Sequence, residues 1–183
     1  MSFFTTSTTG FLAAETFVVP SNSSTGPALI ASAGVTLLHV DELSAAAMEA
    51  GLKALRSRPA ESRRAAWCRI ALQQSFAAAE LTAWGKKMIA FAGVELLVTS
   101  GPGSRELAVA ARDAGISLGR VIVCRDDALA RNVLCDGLGP GDSVLALGVD
   151  ADNCRKLAER LSWRFEGSAL KSRLPQRQAA GAV

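Results

Sequence analysis

From Gly34 onward the apolar and polar positions alternate between two periods. Short β-favouring runs occur at Val35 to His39, Trp67 to Leu72, Val94 to Thr99, Arg120 to Cys124 and Ser143 to Leu147. Brief, nearly continuous apolar runs of this kind fit strands covered on both faces. Between them lie helix-length segments: Leu43 to Arg56, Phe76 to Ala92, Ser104 to Ala114, Asp126 to Cys135 and Asp152 to Trp163. In the third, Leu107, Val109, Ala110, Ala111 and Ala114 make an apolar stripe, with Arg112 and Asp113 on the outward face. Strand and helix alternate throughout, which predicts an α/β fold with a mostly parallel sheet and helices on both faces.

Local punctuation supports these boundaries. Gly93 and Gly115 close the second and third helices. Ser104 is placed to cap the third, and Asp126 and Asp127 put acid at the start of the fourth. Gly139-Pro140-Gly141 is a turn feeding a buried strand that stops at Gly148. Ahead of Gly34 the chain is rich in Ser, Thr, Gly and Pro, with one apolar patch at Phe17 to Val19. The expected organisation is a flexible arm over 1–30, able to add an edge strand, a domain over 31–165 and a basic disordered tail over 166–183.

Composition narrows the picture. Hydrophobic residues make up 49% of the 183, aromatics 5%, and Tyr is absent, so the core is built from Ala, Val, Leu and Ile. No apolar stretch approaches the ~20 residues of a membrane span. The first charged residue is Glu15, so a basic signal region is missing and the expected compartment is the cytoplasm. The net charge of +3 comes from the end of the chain, where Arg164, Lys171, Arg173 and Arg177 meet only Glu166. The rest is balanced, which argues against a nucleic-acid surface. Cys68, Cys124, Cys135 and Cys154 form no CxxC pair and there is one His, so reduced, buried thiols are expected and no metal centre.

In a parallel α/β sheet, ligands bind beyond the carboxyl ends of the strands. The candidates there are His39, Asp41, Glu42 and Ser44, then Gly101, Gly103 and Ser104, then Gly148 and Asp150. The stretch TSGPGSRE could aim backbone N–H groups at a phosphate, but it lacks the third Gly of one phosphate-binding motif and the Lys of the other. A tight strand-to-helix turn is the expected reading. His39 with Asp41 and Glu42 is the densest titratable group at a strand end, suited to a cation or a proton, or to capping a helix. DADNCR lacks the Gly and distal Glu of a calcium loop. No Ser or Cys lies in a nucleophile motif, so no catalytic residue is assigned.

The order and spacing of the segments from Gly34 to Trp163 resemble the C-terminal domain of Mur ligases, most of all the branch that adds D-alanyl-D-alanine to the UDP-muramoyl tripeptide. GVTLLHVDELSAAAMEAGLKAL is similar to that family's first segment, Ala47 to Leu52 lying over its Ser-Met end. CRIALQQSFAAAE and FAGVELLVTSG are similar to its next two strands, and LGPGDSVLALGVDADNCRKLAERL to its Pro-Gly-Asp, strand, Gly, helix unit. The resemblance implies a Rossmann-like domain with about six strands. The family's Asp-Tyr-Asn-Asn-Pro motif faces ATP and the incoming amino acid or dipeptide; over it lie His39, Val40, Asp41, Glu42, Leu43, Ser44 and Ala45, without its Tyr, Asn or Pro. Its Gly-Asp pair falls on Gln73 and Gln74, and its Lys-Gly-Ser-Arg on Leu147, Gly148, Val149 and Asp150.

These 183 residues contain no Walker A motif. Acyl-phosphate formation in that family needs an ATP-binding domain and its metal ions. The expectation is therefore a stand-alone domain with a degenerate site and no ligase activity alone. It would act as a binding or interaction module linked to peptidoglycan precursor synthesis, meeting a protein or a small nucleotide or precursor ligand. No cofactor is expected, ATP entering only with a separate ATP-binding chain, and neither nucleic acid nor membrane is a partner. The alternatives are the C-terminal part of a split ATP-dependent ligase and an independent nucleotide-binding domain.

Overall fold

The computed structural model describes residues 17–19, 27–32, 34–59 and 61–173. Strands β1 (Phe17–Val19), β2 (Ala28–Ser32), β3 (Val35–Val40), β4 (Arg64–Arg69), β5 (Leu96–Ser100), β6 (Val121–Cys124) and β7 (Ser143–Leu147) form one sheet in the order β1-β2-β3-β7-β4-β5-β6. Pairing is parallel from β3 to β6 and antiparallel between β1 and β2 and between β2 and β3. Among the described residues five α-helices accompany it: α1 (Ala45–Arg56), α2 (Ala78–Ala90), α3 (Ser104–Asp113), α4 (Asp127–Gly137) and α5 (Ala151–Arg173). The fold is thus the expected α/β Rossmann-like sheet.

Alternation along each strand divides the core in two. Leu37, Trp67, Val98, Val144 and Ala146 point to one face, where Leu134 of α4 and Cys154, Leu157 and Leu161 of α5 cover them. Leu38, Ala66, Cys68, Leu97, Leu145 and Leu147 point to the other, under Met48, Leu52 and Leu55 of α1, Trp84 and Met88 of α2 and Leu107 of α3. Full burial of each of these Val, Leu and Met side chains contributes about 1.5–3 kcal/mol. The central strand β7 is buried at every position, which its unbroken SVLAL run requires.

Several boundaries differ from the sequence reading. β4 covers Arg64–Arg69, not Trp67 to Leu72; Leu72 is 89% exposed in the loop beyond. The segment at 28–32 pairs with β3 over five residues, so this part of the arm belongs to the sheet. Helix α5 continues to Arg173, past the boundary placed at 165. The apolar patch at Phe17–Val19 forms β1 at the sheet's edge, while residues 1–16 and 20–26 of the arm and residues 174–183 of the tail lie outside the described residues. In α3 the N-cap is Gly103, not Ser104, and Val109 is exposed where Ala108 turns inward.

Candidate functional site at the carboxyl edge of the sheet

The connections leaving neighbouring strands set the geometry of this edge. After β3 and β4 the chain enters α1 and α2 on one face, whereas after β7, between them, it enters α5 on the other. The end of β7 is therefore a topological switch point, where adjacent loops part and side chains from several strands converge.

Two polar arrangements occupy it. At the end of β3, buried His39 holds its Nε2 2.7 Å from the Val149 carbonyl oxygen and 3.0 Å from Asp41 Oδ1. Both partners only accept, so Nε2 carries the proton and ties β3 to the turn after β7. Glu42 is exposed, and Ser44 is the N-cap of α1, its Oγ accepting from the Ala47 N–H at 3.3 Å. The His39, Asp41, Glu42 and Ser44 group is thus a strap, an exposed acid and a cap.

The second arrangement centres on Asp127, in the first turn of α4. Its carboxylate accepts from Arg69 Nε at 3.0 Å, Ser100 Oγ at 2.9 Å and Asn153 Nδ2 at 3.3 Å. Asp150 receives the Asn153 backbone N–H at 2.8 Å and its side-chain amide at 2.7 Å, and lies 3.7 Å from Arg69. Burial pushes the Asp150 carboxyl upward, but the Asn153 hydrogen bonds and the Arg69 charge outweigh it and hold the group below the usual range. Asp126 caps α4 through the Leu129 N–H at 2.8 Å, the largest of the interactions that lower its own carboxyl. One guanidinium thus faces two carboxylates, leaving the network with an excess negative charge.

The glycines of this edge are spacers for backbone. Gly148 has φ +66, and a Cβ there would stand 2.5 Å from the Arg69 carbonyl oxygen and 3.1 Å from Leu43 Cβ. A side chain on Gly101 would overlap the Ile70 carbonyl, and Gly103, at φ +73, is the N-cap of α3. Ser104 is buried, its carbonyl receiving the Thr99 hydroxyl at 3.3 Å. TSGPGSRE is accordingly a tight strand-to-helix turn. A hollow of about 150 Å³ beside it is lined by Ile70, Gln74, Phe76, Leu81 and Gly103.

Of the candidates read from the sequence, His39 with Asp41, and separately Asp150, enter interacting clusters; Gly101 and Gly148 shape the backbone around them. Arg69, Asp127 and Asn153 were missed as site residues. Arg69 was hidden inside a misplaced strand, whereas Asp127 carried a signal in its position just after a strand. All four thiols are buried, and burial pushes Cys68 and Cys154 up to about 12, so neither is a ready nucleophile at neutral pH. Among the described residues no cluster of three His, Cys, Asp or Glu could hold a metal, and no helix is long and apolar enough to cross a membrane.

No family model matches this chain, and no curated protein matches it. Solved structures share its fold. A domain from a protein assigned as a UDP-N-acetylmuramate:L-alanyl-gamma-D-glutamyl-medo-diaminopimelate ligase of Haemophilus ducreyi is similar over 73% of this chain and 94% of its own length, at 15% identity and a TM-score of 0.51. MurF ligase from Thermotoga maritima, solved with ADP, is similar over 79% of this chain at 15% identity and a TM-score of 0.49, and the chain spans 31% of that enzyme. The fold is Mur ligase C-terminal-like.

Proposed function

We propose that this Mur-ligase-like domain has no ligase activity by itself and serves as a protein-interaction module linked to peptidoglycan precursor synthesis. The observation that carries the reading is the engagement of Arg69 by Asp127 and Asp150 at the switch point. An excess carboxylate within about 4 Å of a bound phosphate would oppose it by about 4 kcal/mol at an effective dielectric constant near 20. That equals the whole binding free energy of a millimolar ligand, about 4.1 kcal/mol. The edge therefore disfavours a nucleotide and suits a partner presenting hydrogen-bond donors or positive charge. The likeness in fold to a muramate-ligase domain supplies the link to precursor synthesis.

The test is ADP release and thermal shift on the purified chain with ATP, magnesium, UDP-muramoyl tripeptide and D-alanyl-D-alanine. The expected result is no ADP above the blank and no saturable shift with millimolar ATP. ADP release by the chain alone would refute the non-catalytic reading. Release only after adding a separate ATP-binding Mur chain would establish a split ligase instead. For the interaction itself, a donor-rich Mur-pathway partner should lose affinity when Asp150 becomes Lys, and unchanged affinity would remove this edge as the contact.

A further inference from the structure

At the opposite, amino edge of the sheet, a pocket of about 440 Å³ opens between the starts of β3, β7 and β4. Gly34 and Thr36 line it from β3, Gly141 and Ser143 from β7, and Arg58, Glu61 and Ser62 from the loop joining α1 to β4. Its size lies within the range of small-molecule sites, about 300–1,000 Å³.

The polar groups of this pocket are unevenly satisfied. Arg58 is half-buried, its Nε is fully buried, and no group accepts a hydrogen bond from that nitrogen. Among the described residues its guanidinium forms no ion pair, although acids are near in sequence. Asp142 is engaged by Arg63 at 2.6 Å and by the Gly139 N–H at 2.8 Å. Arg64 turns its own donors to the Ala92, Arg56 and Arg58 carbonyls. A buried donor without a partner is costly, and native proteins pair nearly all such groups.

The hydroxyls have the reverse character. Ser62 Oγ donates to the Gly141 carbonyl at 2.7 Å and lies 2.9 Å from Ser143 Oγ. The Ser62 proton is used on the carbonyl, so Ser143 donates to Ser62, and what the pair offers the pocket is acceptor lone pairs. Ser143 is 1% exposed and Ser62 7%, so these are built-in rather than adventitious surface groups. Glu61, exposed on the rim, adds a carboxylate that forms no ion pair among the described residues.

The Arg58 guanidinium, which forms no ion pair among the described residues, thus lines the pocket together with hydroxyl acceptors and the unpaired Glu61 carboxylate. We propose that this pocket binds a small zwitterion, with an α-amino acid as its ligand class: the carboxylate meets the Arg58 guanidinium, and the ammonium meets Glu61 and the serine hydroxyls. Arg suits this role because its planar N–H groups match a carboxylate in pairs. The Glu61 charge discriminates against multiply charged anions such as phosphate. This site is independent of the carboxyl-edge reading, since it lies at the other end of the strands.

The experiment is a titration of the ¹⁵N-labelled full chain with pools of the twenty L-amino acids, followed by the backbone amides of Gly34, Thr36, Ser62 and Gly141. At least one pool should shift these amides saturably. The methyl ester of the active amino acid, lacking the carboxylate, and acetate, lacking the ammonium, should bind at least roughly tenfold more weakly. Arg58→Gln should weaken binding by a similar factor, and Glu61→Gln should reduce the preference for the amino acid over acetate. Thermal melts without ligand check that both variants are folded. Silence of these amides to every pool, unchanged affinity in folded Arg58→Gln, or phosphate binding as tightly as the amino acid would overturn the proposal.

Discussion

Replacing Gly148 by Ala isolates what the switch point demands of the backbone. The position has φ +66, and an L-residue in the left-handed region costs roughly 1–2 kcal/mol. The added methyl would also sit 2.5 Å from the Arg69 carbonyl oxygen and 3.1 Å from Leu43 Cβ. Arg69 ends a strand packed between β7 and β5, so it cannot move aside freely, and relieving the overlap adds about 1–3 kcal/mol. The expected loss is therefore about 2–5 kcal/mol, a large share of a typical 5–15 kcal/mol stability.

Two further alanines separate the contributions. At Gly115, φ is +108 but nothing lies within 4 Å of the new methyl, so only the backbone cost of roughly 1–2 kcal/mol applies. At Gly119 neither condition holds, and the change should stay within about 0.5 kcal/mol or stabilise slightly. Urea unfolding followed by tryptophan fluorescence reports the order, since Trp67 and Trp84 are both buried. A Gly148 variant no less stable than the Gly115 variant, at unchanged denaturant slope, would refute the close-approach argument.

Acid stability should depend on Asp150, whose folded pKa lies below its unfolded value of about 3.9. A depressed carboxyl contributes stability that is present above the unfolded pKa and lost as pH falls through the folded one, so Asp150→Asn should flatten the decline in urea midpoint between about pH 5 and pH 2. An unchanged acid limb would contradict this. Arg69→Met leaves Asp127, 17% exposed, without its guanidinium and should cost about 1–3 kcal/mol. Asp127→Asn in the same chain should recover part of that loss, and strictly additive effects in the double-mutant cycle would show that the pair is not coupled.

The element order was legible because the parallel strands are apolar at nearly every position and the helices carry clear caps such as Ser44 and Asp126. Where the reading slipped, tertiary packing had overridden local preference. Strand β4 contains Ala65 and Ala66, poor strand formers that are fully buried in the middle of the sheet, while the more β-like Ile70 and Leu72 follow its end. That displacement of three residues buried Arg69 in a supposed strand and concealed the cation of the switch point. The antiparallel β2 was harder still, since ALIAS is short and flanked by the residues of a loose arm. Single-residue geometry, such as the Val149 carbonyl meeting His39 across a separation of 110 residues, has no local signature.

The place of β7 also sets a timetable for synthesis. It is the last strand among the described residues and yet stands between β3 and β4, the first two of the parallel set. A ribosome adding roughly 5–20 residues per second needs about 4–15 s to travel from Arg69 to Ser143. Throughout that interval both of β7's future neighbours are open strands with apolar side chains, so the nascent chain waits with two adhesive edges that β7 must seal.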